Sequence, residues 1–487
     1  MMNNRHLTPP AWPLEAVIRA TGGRESESAR NDRNQSIKFS AISIDSRTLE
    51  PGSLYVAIRG KRLNGHAYID AAVRSGAAGV MVMDDGVAAS LAAQGIRVIR
   101  VPDTTRALGA LGRWRRRTYN PGLVAVTGSA GKTSTREMIR CVLASTFETH
   151  VPQGNFNNAI GLPLTLLNLT PSHRWCVAEL GMNGPGEIHT LTRICEPDIG
   201  VITNVGAAHV AGLGSIDGVA AAKAELMTAM EPGRPLVLNR EDRRVAAMES
   251  LARGPILWFG TSDRADIRAA EISRTPEGLS FVLQTPAGEA GVRLNTFGRF
   301  MVLNALAAAG VGHIAGLSPK TIAGGLASFI PMPGRLEIWK DPSGATLMND
   351  AYNANPVSMK GAIDVLTERD APCRIAVLGD MKELGTLAET CHRQIGAHCA
   401  ACGVTHLYVT GDYAGDVREG ALAGGMTAVS VTVASKESIA AALKKQLGPH
   451  THVLLKGSRA MEMETILTLL AHGDAEAGAV TREMETT

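Results

Sequence analysis

The chain has 487 residues, of which 45% are hydrophobic and 20% charged, and its formal net charge is +3. That length implies two or three domains, and the balance excludes a disordered, strongly acidic or polycationic chain of the kind that coats nucleic acid. Met1 to Leu14 holds no apolar block like that of a secretory leader, and the most apolar stretch, Asn304 to Leu317, is too short for a membrane span, so a cytoplasmic protein without stable membrane insertion is expected.

Up to about Tyr119, short strand patterns at Ser40 to Asp45 and Leu54 to Ile58 mix with an alanine-rich helix near Ile69 to Ser75, the signature of a small α/β unit spanning 1–119. The run Arg113 to Arg117 reads as a solvated helix end, and Asn120-Pro121-Gly122 supplies a turn and a boundary. From Leu123 apolar strands at Leu123 to Val126, Trp175 to Leu180 and Ile199 to Thr203 alternate with helices, the rhythm of a mostly parallel buried sheet in a second unit, 120–331. Pro331 to Gly334 breaks the chain again. Beyond it, Ala345 to Met348, Arg374 to Leu378, Leu407 to Thr410, Val429 to Val433 and Val453 to Lys456 predict a doubly wound, Rossmann-like unit over 332–487, with a frayed polar tail from Gly473.

Seven cysteines are an odd number for a disulfide framework and fit reduced thiols. Cys399 and Cys402 form a C-x-x-C with His392 and His398 nearby, but no second pair completes a zinc tetrahedron, and helix thiols are the expected reading.

The sharpest local signal is Thr127-Gly128-Ser129-Ala130-Gly131-Lys132-Thr133-Ser134, set between an apolar strand and a helix. Glycines let backbone N–H groups wrap a polyphosphate, the helix N-terminus adds positive potential, Lys132 reaches the terminal phosphates, and the Thr133 hydroxyl can ligate magnesium. Val126 stands where the general pattern has its first glycine. Glu179 ends one strand and His209 follows another, the places where parallel sheets bind ligands, so both are candidate metal ligands. No Asn-Lys pair exists to read guanine, and Gly310, Gly312 and Gly316 are misspaced for a dinucleotide turn and read as helix packing.

Ten ordered blocks then resemble the ATP-dependent Mur ligases of peptidoglycan synthesis. They are Asp45-Ser46-Arg47, Asn64-Gly65-His66, the phosphate loop, Asn155 to Asn158, Glu179-Leu180-Gly181, Ala222 to Glu225, Asn304-Ala305-Leu306, Gly334-Arg335-Leu336, Asp350 to Pro356 and Lys456 to Arg459. The Tyr352 to Pro356 block and Cys391 to Gln394 resemble the branch that adds D-alanyl-D-alanine; the Asp-Asn-Pro-Arg of the diaminopimelate-adding branch is absent.

The resemblance implies three domains: one holding the UDP end of the substrate, a central ATPase, and a C-terminal domain closing over the nucleotide. It implies that ATP, with one or two Mg2+, phosphorylates the terminal carboxylate of a UDP-N-acetylmuramoyl-tripeptide. The amine of D-alanyl-D-alanine then attacks the acyl phosphate. By the same resemblance Lys132 and Thr133 map to phosphate and metal, Glu179 and His209 to metal, and Lys223 to a carbamylated lysine holding a second magnesium. Asn304, Arg335 and Asp350 map to the nucleotide. Asp45, Ser46, Arg47, Asn64, His66, Asn157, Asn158, Tyr352, Asn353, Asn355, Lys456, Ser458 and Arg459 map to substrate. Phe300 replaces the histidine usual in this branch, and Ala211 a common glutamate. A monomer serving cell-wall growth, and with it cell shape and division, is the expectation. A sister ligase of other amino-acid specificity and a regulatory ATPase that binds a wall precursor are the competing readings.

Overall fold

Aliphatic runs bounded by glycine or proline form strands here because both faces of each sheet are covered by helices, so every side chain along a strand meets apolar neighbours. The computed structural model describes residues 11–26, 37–60, 63–152, 154–368 and 371–472. Most of the leader reading (1–10) and the tail from Gly473 lie outside the described residues.

The fold is α/β, with three sheet-centred domains. In the first, a 5-stranded sheet runs Arg24–Glu25, Val98–Arg100, Gly79–Val82, Leu54–Val56, Ile42–Ser43 in spatial order, and a two-stranded ribbon pairs Trp12 with Phe39. The expected strand Ser40 to Asp45 is shorter, Ile42–Ser43, preceded by a separate pair at Lys38–Phe39.

The second domain carries a 9-stranded sheet in which Gly122–Thr127 is flanked in parallel by Trp175–Glu179 and Ile199–Ile202. Parallel pairing continues through Leu236–Asn239 and Ile256–Gly260 to Ile267–Thr275. An antiparallel meander, Ile267–Thr275, Gly278–Thr285 and Gly288–Leu294, then extends it. The meander was not part of the sequence reading. Its half-buried strands alternate, and a bulge between Ala270 and Ser273 interrupts the period. Gly310 and Gly312 lie in the helix Arg299–Ile314, where an added Cβ would meet Val237 and Val142, as expected for helix packing, whereas Gly316 lies past the helix end at φ +80° with nothing packed against it.

The third domain is a 6-stranded sheet in the order Glu337–Lys340, Thr346–Asp350, Thr451–Lys456, Cys373–Leu378, His406–Val409, Val431–Val433, parallel except at its first edge. Three neighbouring strand ends therefore present Asp350, Lys456 and Asp380 together. Among the described residues no helix is long and apolar enough to cross a membrane, and all seven cysteines are unpaired.

One expectation is overturned. The arginine run is not a solvated helix end, because the helix Thr104–Tyr119 packs on Gly161–Leu167 and Glu187–Cys195 of the central domain. Arg115 is 1% exposed and lies over the Trp12 ring, while Arg116 is 4% exposed and pairs with Asp198 at 2.8 Å. Arg113 and Arg117 share Glu196. Their acidic partners come from a distant part of the chain, so a local charge run gives no sign of them.

Candidate active site

Gly122–Thr127 ends at the sheet's carboxyl edge and the chain turns through 128–131 into the helix Lys132–Ala144. Two glycines make that turn possible. Gly131 has φ +79°, and a Cβ there would stand 2.5 Å from Asn304 Oδ1; at Gly128, φ +155°, it would collide with Thr203 Oγ1. Asn304 is thereby placed against the loop by the helix Arg299–Ile314. Thr203 and Asn204, at the end of the next strand, bind the Ala130 carbonyl, and Asn204 Oδ1 accepts the Ala130 N–H at 2.8 Å. Ser129 Oγ donates to the Gly206 carbonyl and accepts the Gly206 N–H, Thr127 Oγ1 donates to the Leu180 carbonyl, and Asn239 Nδ2 fixes Thr203 by donating to its carbonyl. Ser134 continues the helix without a side-chain bond among those described.

Lys132 donates to the Gly128 carbonyl at 2.8 Å, inside its own loop. Burial lowers its pKa, against the attraction of Glu179 and Glu383. Thr133 Oγ1 donates to Glu179 Oε2 at 2.9 Å and accepts from Arg335 at 3.2 Å. Glu179, 2% exposed, is also met by Asn157 Nδ2 at 3.1 Å and by the Arg136 guanidinium at 3.7 Å. A buried carboxylate beside a hydroxyl at the mouth of a phosphate loop is the oxygen-rich donor set a hard divalent cation takes.

Lys223 lies on the helix Ile216–Ala229 with 1% exposure. Burial first, and then the Lys132 ammonium, depress its pKa well below the ordinary lysine value. As an amine it does not fit a cation; as its carbamate it would. His209, in the left-handed region at φ +59°, pairs through Nδ1 with Glu383 Oε2 at 2.6 Å. Glu383 belongs to the C-terminal domain and its backbone carbonyl accepts from Ala211 N at 3.0 Å.

The C-terminal domain brings in the rest. Arg335 lies over the Tyr352 ring at 4.1 Å while reaching Thr133. Asn355 donates to the Ser129 carbonyl at 3.1 Å and caps the helix Pro356–Glu368 through Ser358 N. Asp350 accepts from Leu336 N at 3.0 Å and from Lys456 Nζ at 2.5 Å, and Lys456 also donates to the Asn353 carbonyl at 2.9 Å. Ser458 Oγ accepts the Lys382 N–H, and Arg459 pairs with Glu464. Phe300 packs against the face of Pro356–Glu368 at Gly361, so the aromatic ring fills a contact between the second and third domains.

Other expected site residues stay apart from this cluster. Asp45 binds Arg47 at 2.6 Å, and that hydrogen bond holds its carboxyl at about 2. The Ser46 carbonyl accepts from Ser75, and Asn64 Oδ1 accepts from His66 N and faces His66 Nδ1. Among the described residues, all these contacts remain in the N-terminal domain. Asn158 Oδ1 caps the helix Gly161–Leu167 through Ile160 N and Gly161 N. Missed by the sequence reading were Arg136, Asn204 and Glu383. Glu383 follows the strand Cys373–Leu378 at its carboxyl end, the same positional rule that singled out Glu179.

Comparison with known proteins agrees with this arrangement. Residues 38–116 match the Mur ligase family catalytic domain, 126–312 the Mur ligase middle domain, and 334–459 the Mur ligase glutamate ligase domain. The UDP-N-acetylmuramoyl-tripeptide–D-alanyl-D-alanine ligase of Escherichia coli K12 is 34% identical over 89% of this chain and 94% of its own. The Bacillus subtilis 168 enzyme of the same name is 33% identical over 90% and 94%. Among solved structures, MurF of Acinetobacter baumannii superposes with a TM-score of 0.87 at 30% identity, covering 96% of this chain and all of that one. MurF of Thermotoga maritima in complex with ADP gives 0.79 at 25% identity, covering 90% and 98%.

Proposed function

Because the chain belongs to the Mur ligase family, we propose that it is the ATP-dependent ligase joining D-alanyl-D-alanine to UDP-N-acetylmuramoyl-tripeptide in peptidoglycan precursor synthesis. The observation that carries this reading is the meeting, across one domain boundary, of a phosphate loop and His209 with Arg335, Asn355 and Glu383 of the C-terminal domain. The domain limits near 119 and 331 fall between the matched family segments and support the division of labour.

A tripeptide carboxylate attacking the γ-phosphorus of ATP brings two anions together. The loop N–H groups, Lys132 and Arg335 offset that repulsion. A P–O bond to ADP breaks as the carboxyl oxygen takes the phosphoryl group. The dipeptide amine then attacks the acyl carbon, a C–N bond forms, the amine gives up a proton, and inorganic phosphate leaves with the carboxyl oxygen. Thr133 and Glu179, with His209, would hold Mg2+, and Lys223 as a carbamate a second ion; bound there, magnesium supplies charge neutralisation for the phosphates. Glu383, beside His209 Nδ1, would orient the ring so that Nε2 serves the ion. The N-terminal residues Asp45, Ser46, Arg47, Asn64 and His66 would take the UDP end, and contacts between the domains exclude water from the acyl phosphate. We place this activity in the cytoplasm, with the protein acting as a monomer.

Phosphate release by the purified chain tests the reading. It should require both UDP-tripeptide and D-alanyl-D-alanine; release that needs only one or neither marks a regulatory ATPase, and release with a different amine marks a sister ligase.

A further inference from the structure

The helices Pro356–Glu368 and Ala388–Cys402 pack against each other in the C-terminal domain; the first begins beside the phosphate loop at Asn355, and Asp364 lies more than two turns further along it. His398 and Cys402 stand four residues apart on the second helix and so share a face. Asp364 reaches them from the first. His398 Nε2 is 2.7 Å from Asp364 Oδ1, Cys402 Sγ is 3.6 Å from that oxygen and 3.5 Å from His398 Nε2. One donor atom from each residue falls within 4.8 Å of the others.

We propose that Asp364, His398 and Cys402 form a binding site for a zinc-class transition-metal ion, with the fourth position open to solvent. Tetrahedral zinc with bonds of about 2.0 to 2.3 Å sets its donor atoms roughly 3.3 to 3.6 Å apart. Both sulfur distances already have those lengths. The His398–Asp364 edge is closed by a hydrogen bond, and opening it by about half an ångström admits the ion. A helix-to-helix hydrogen bond accounts for that edge alone, whereas thiol, imidazole and carboxylate converging on one point is the donor chemistry zinc selects over magnesium.

The neighbouring groups that could compete are otherwise engaged. Cys399 is fully buried, so the C-x-x-C does not act as a pair. His392 accepts from Met381 N and, through Nδ1, donates to the Ala388 carbonyl, which leaves no nitrogen for an ion. The side chains of Asp364 and His398 are 46% and 25% exposed, so an ion can enter from solvent. Burial and the Asp364 carboxylate raise the Cys402 thiol, so binding releases its proton to solvent as the thiolate–metal bond forms. The site is independent of the ligase reading.

Cobalt(II) reports the site directly, because a thiolate ligand gives an intense near-ultraviolet charge-transfer band that carboxylate and imidazole sites lack. The full chain, reduced and stripped with chelator, is titrated with cobalt in millimolar Mg2+, which keeps oxygen-rich sites filled. The expected result is a band that saturates at one ion per chain and is bleached by added zinc. Cys402→Ser should abolish it, His398→Ala and Asp364→Asn should weaken binding at least about tenfold, and Cys373→Ser should leave it intact. Absence of the band in the wild-type chain, or its persistence in a folded Cys402→Ser variant, would overturn the proposal.

Discussion

The two domain boundaries of this protein are built from different materials. Between the first and second domains, Arg116 is sunk beside Asp198 and the carbonyls of Cys195 and Glu196, Arg113 and Arg117 clasp Glu196, and Arg115 stacks on Trp12. Every charge there is answered by another protein group. Between the second and third domains, besides Ala211 on the Glu383 carbonyl and Arg274 on Glu368, the polar contacts fall at the phosphate loop and its neighbours: Arg335 on Thr133, Asn355 on Ser129, Glu383 on His209. The first boundary is a fixed joint. The second includes contacts that a nucleotide can exchange, so there binding and domain contact share the side chains of Thr133 and Arg335.

That contrast can be broken from either side, and the largest effect is expected at the working boundary. Lys132→Ala should lower ligation by about 10²-fold or more, because a phosphoryl-transfer contact is lost. Since the lysine bonds only to its own loop among the described residues, the thermal unfolding midpoint should stay near wild type. At the fixed joint, Arg116→Ala leaves the Cys195 and Glu196 carbonyls without their donor and Asp198 with only Arg234 and the Leu123 N–H, and should cost about 2 kcal/mol of stability in urea unfolding. Its ATP affinity should be unchanged once folded.

Smaller effects sharpen the comparison. Glu383→Ala frees the His209 ring without touching the phosphate loop, and should raise the Mg2+ concentration for half-maximal activity about tenfold. ATP affinity measured without magnesium should not move. Arg47→Ala, at an exposed position far from either boundary, should weaken UDP-tripeptide binding about fivefold, the worth of one exposed charge contact, and leave the KM for ATP unaltered.

How legible these features were in the sequence follows from how far apart their parts lie. The phosphate loop is contiguous, and strand, glycines, lysine and helix all appear in one stretch from Leu123 to Leu143. Glu179 and His209 were legible because they end or follow apolar strands. The arginine run was misread for the opposite reason, since Glu196 and Asp198 lie on another element and nothing near Arg116 announces them. Glu383 was missed because its segment is a loop whose importance comes only from touching His209. In the meander, the bulge at Ala270 to Ser273 breaks the two-residue period that would have marked a strand. Lys223 stands between these cases: the resemblance pointed to it, while burial and the neighbouring Lys132 disfavour the ammonium form there.

The central claim is that the tripeptide carboxylate is activated as an acyl phosphate at the second boundary. It is tested by labelling both oxygens of that carboxylate with oxygen-18 and analysing the inorganic phosphate released during ligation to D-alanyl-D-alanine. The account predicts one labelled oxygen in each phosphate released and one retained in the new amide. Unlabelled phosphate accompanied by amide formation would contradict it.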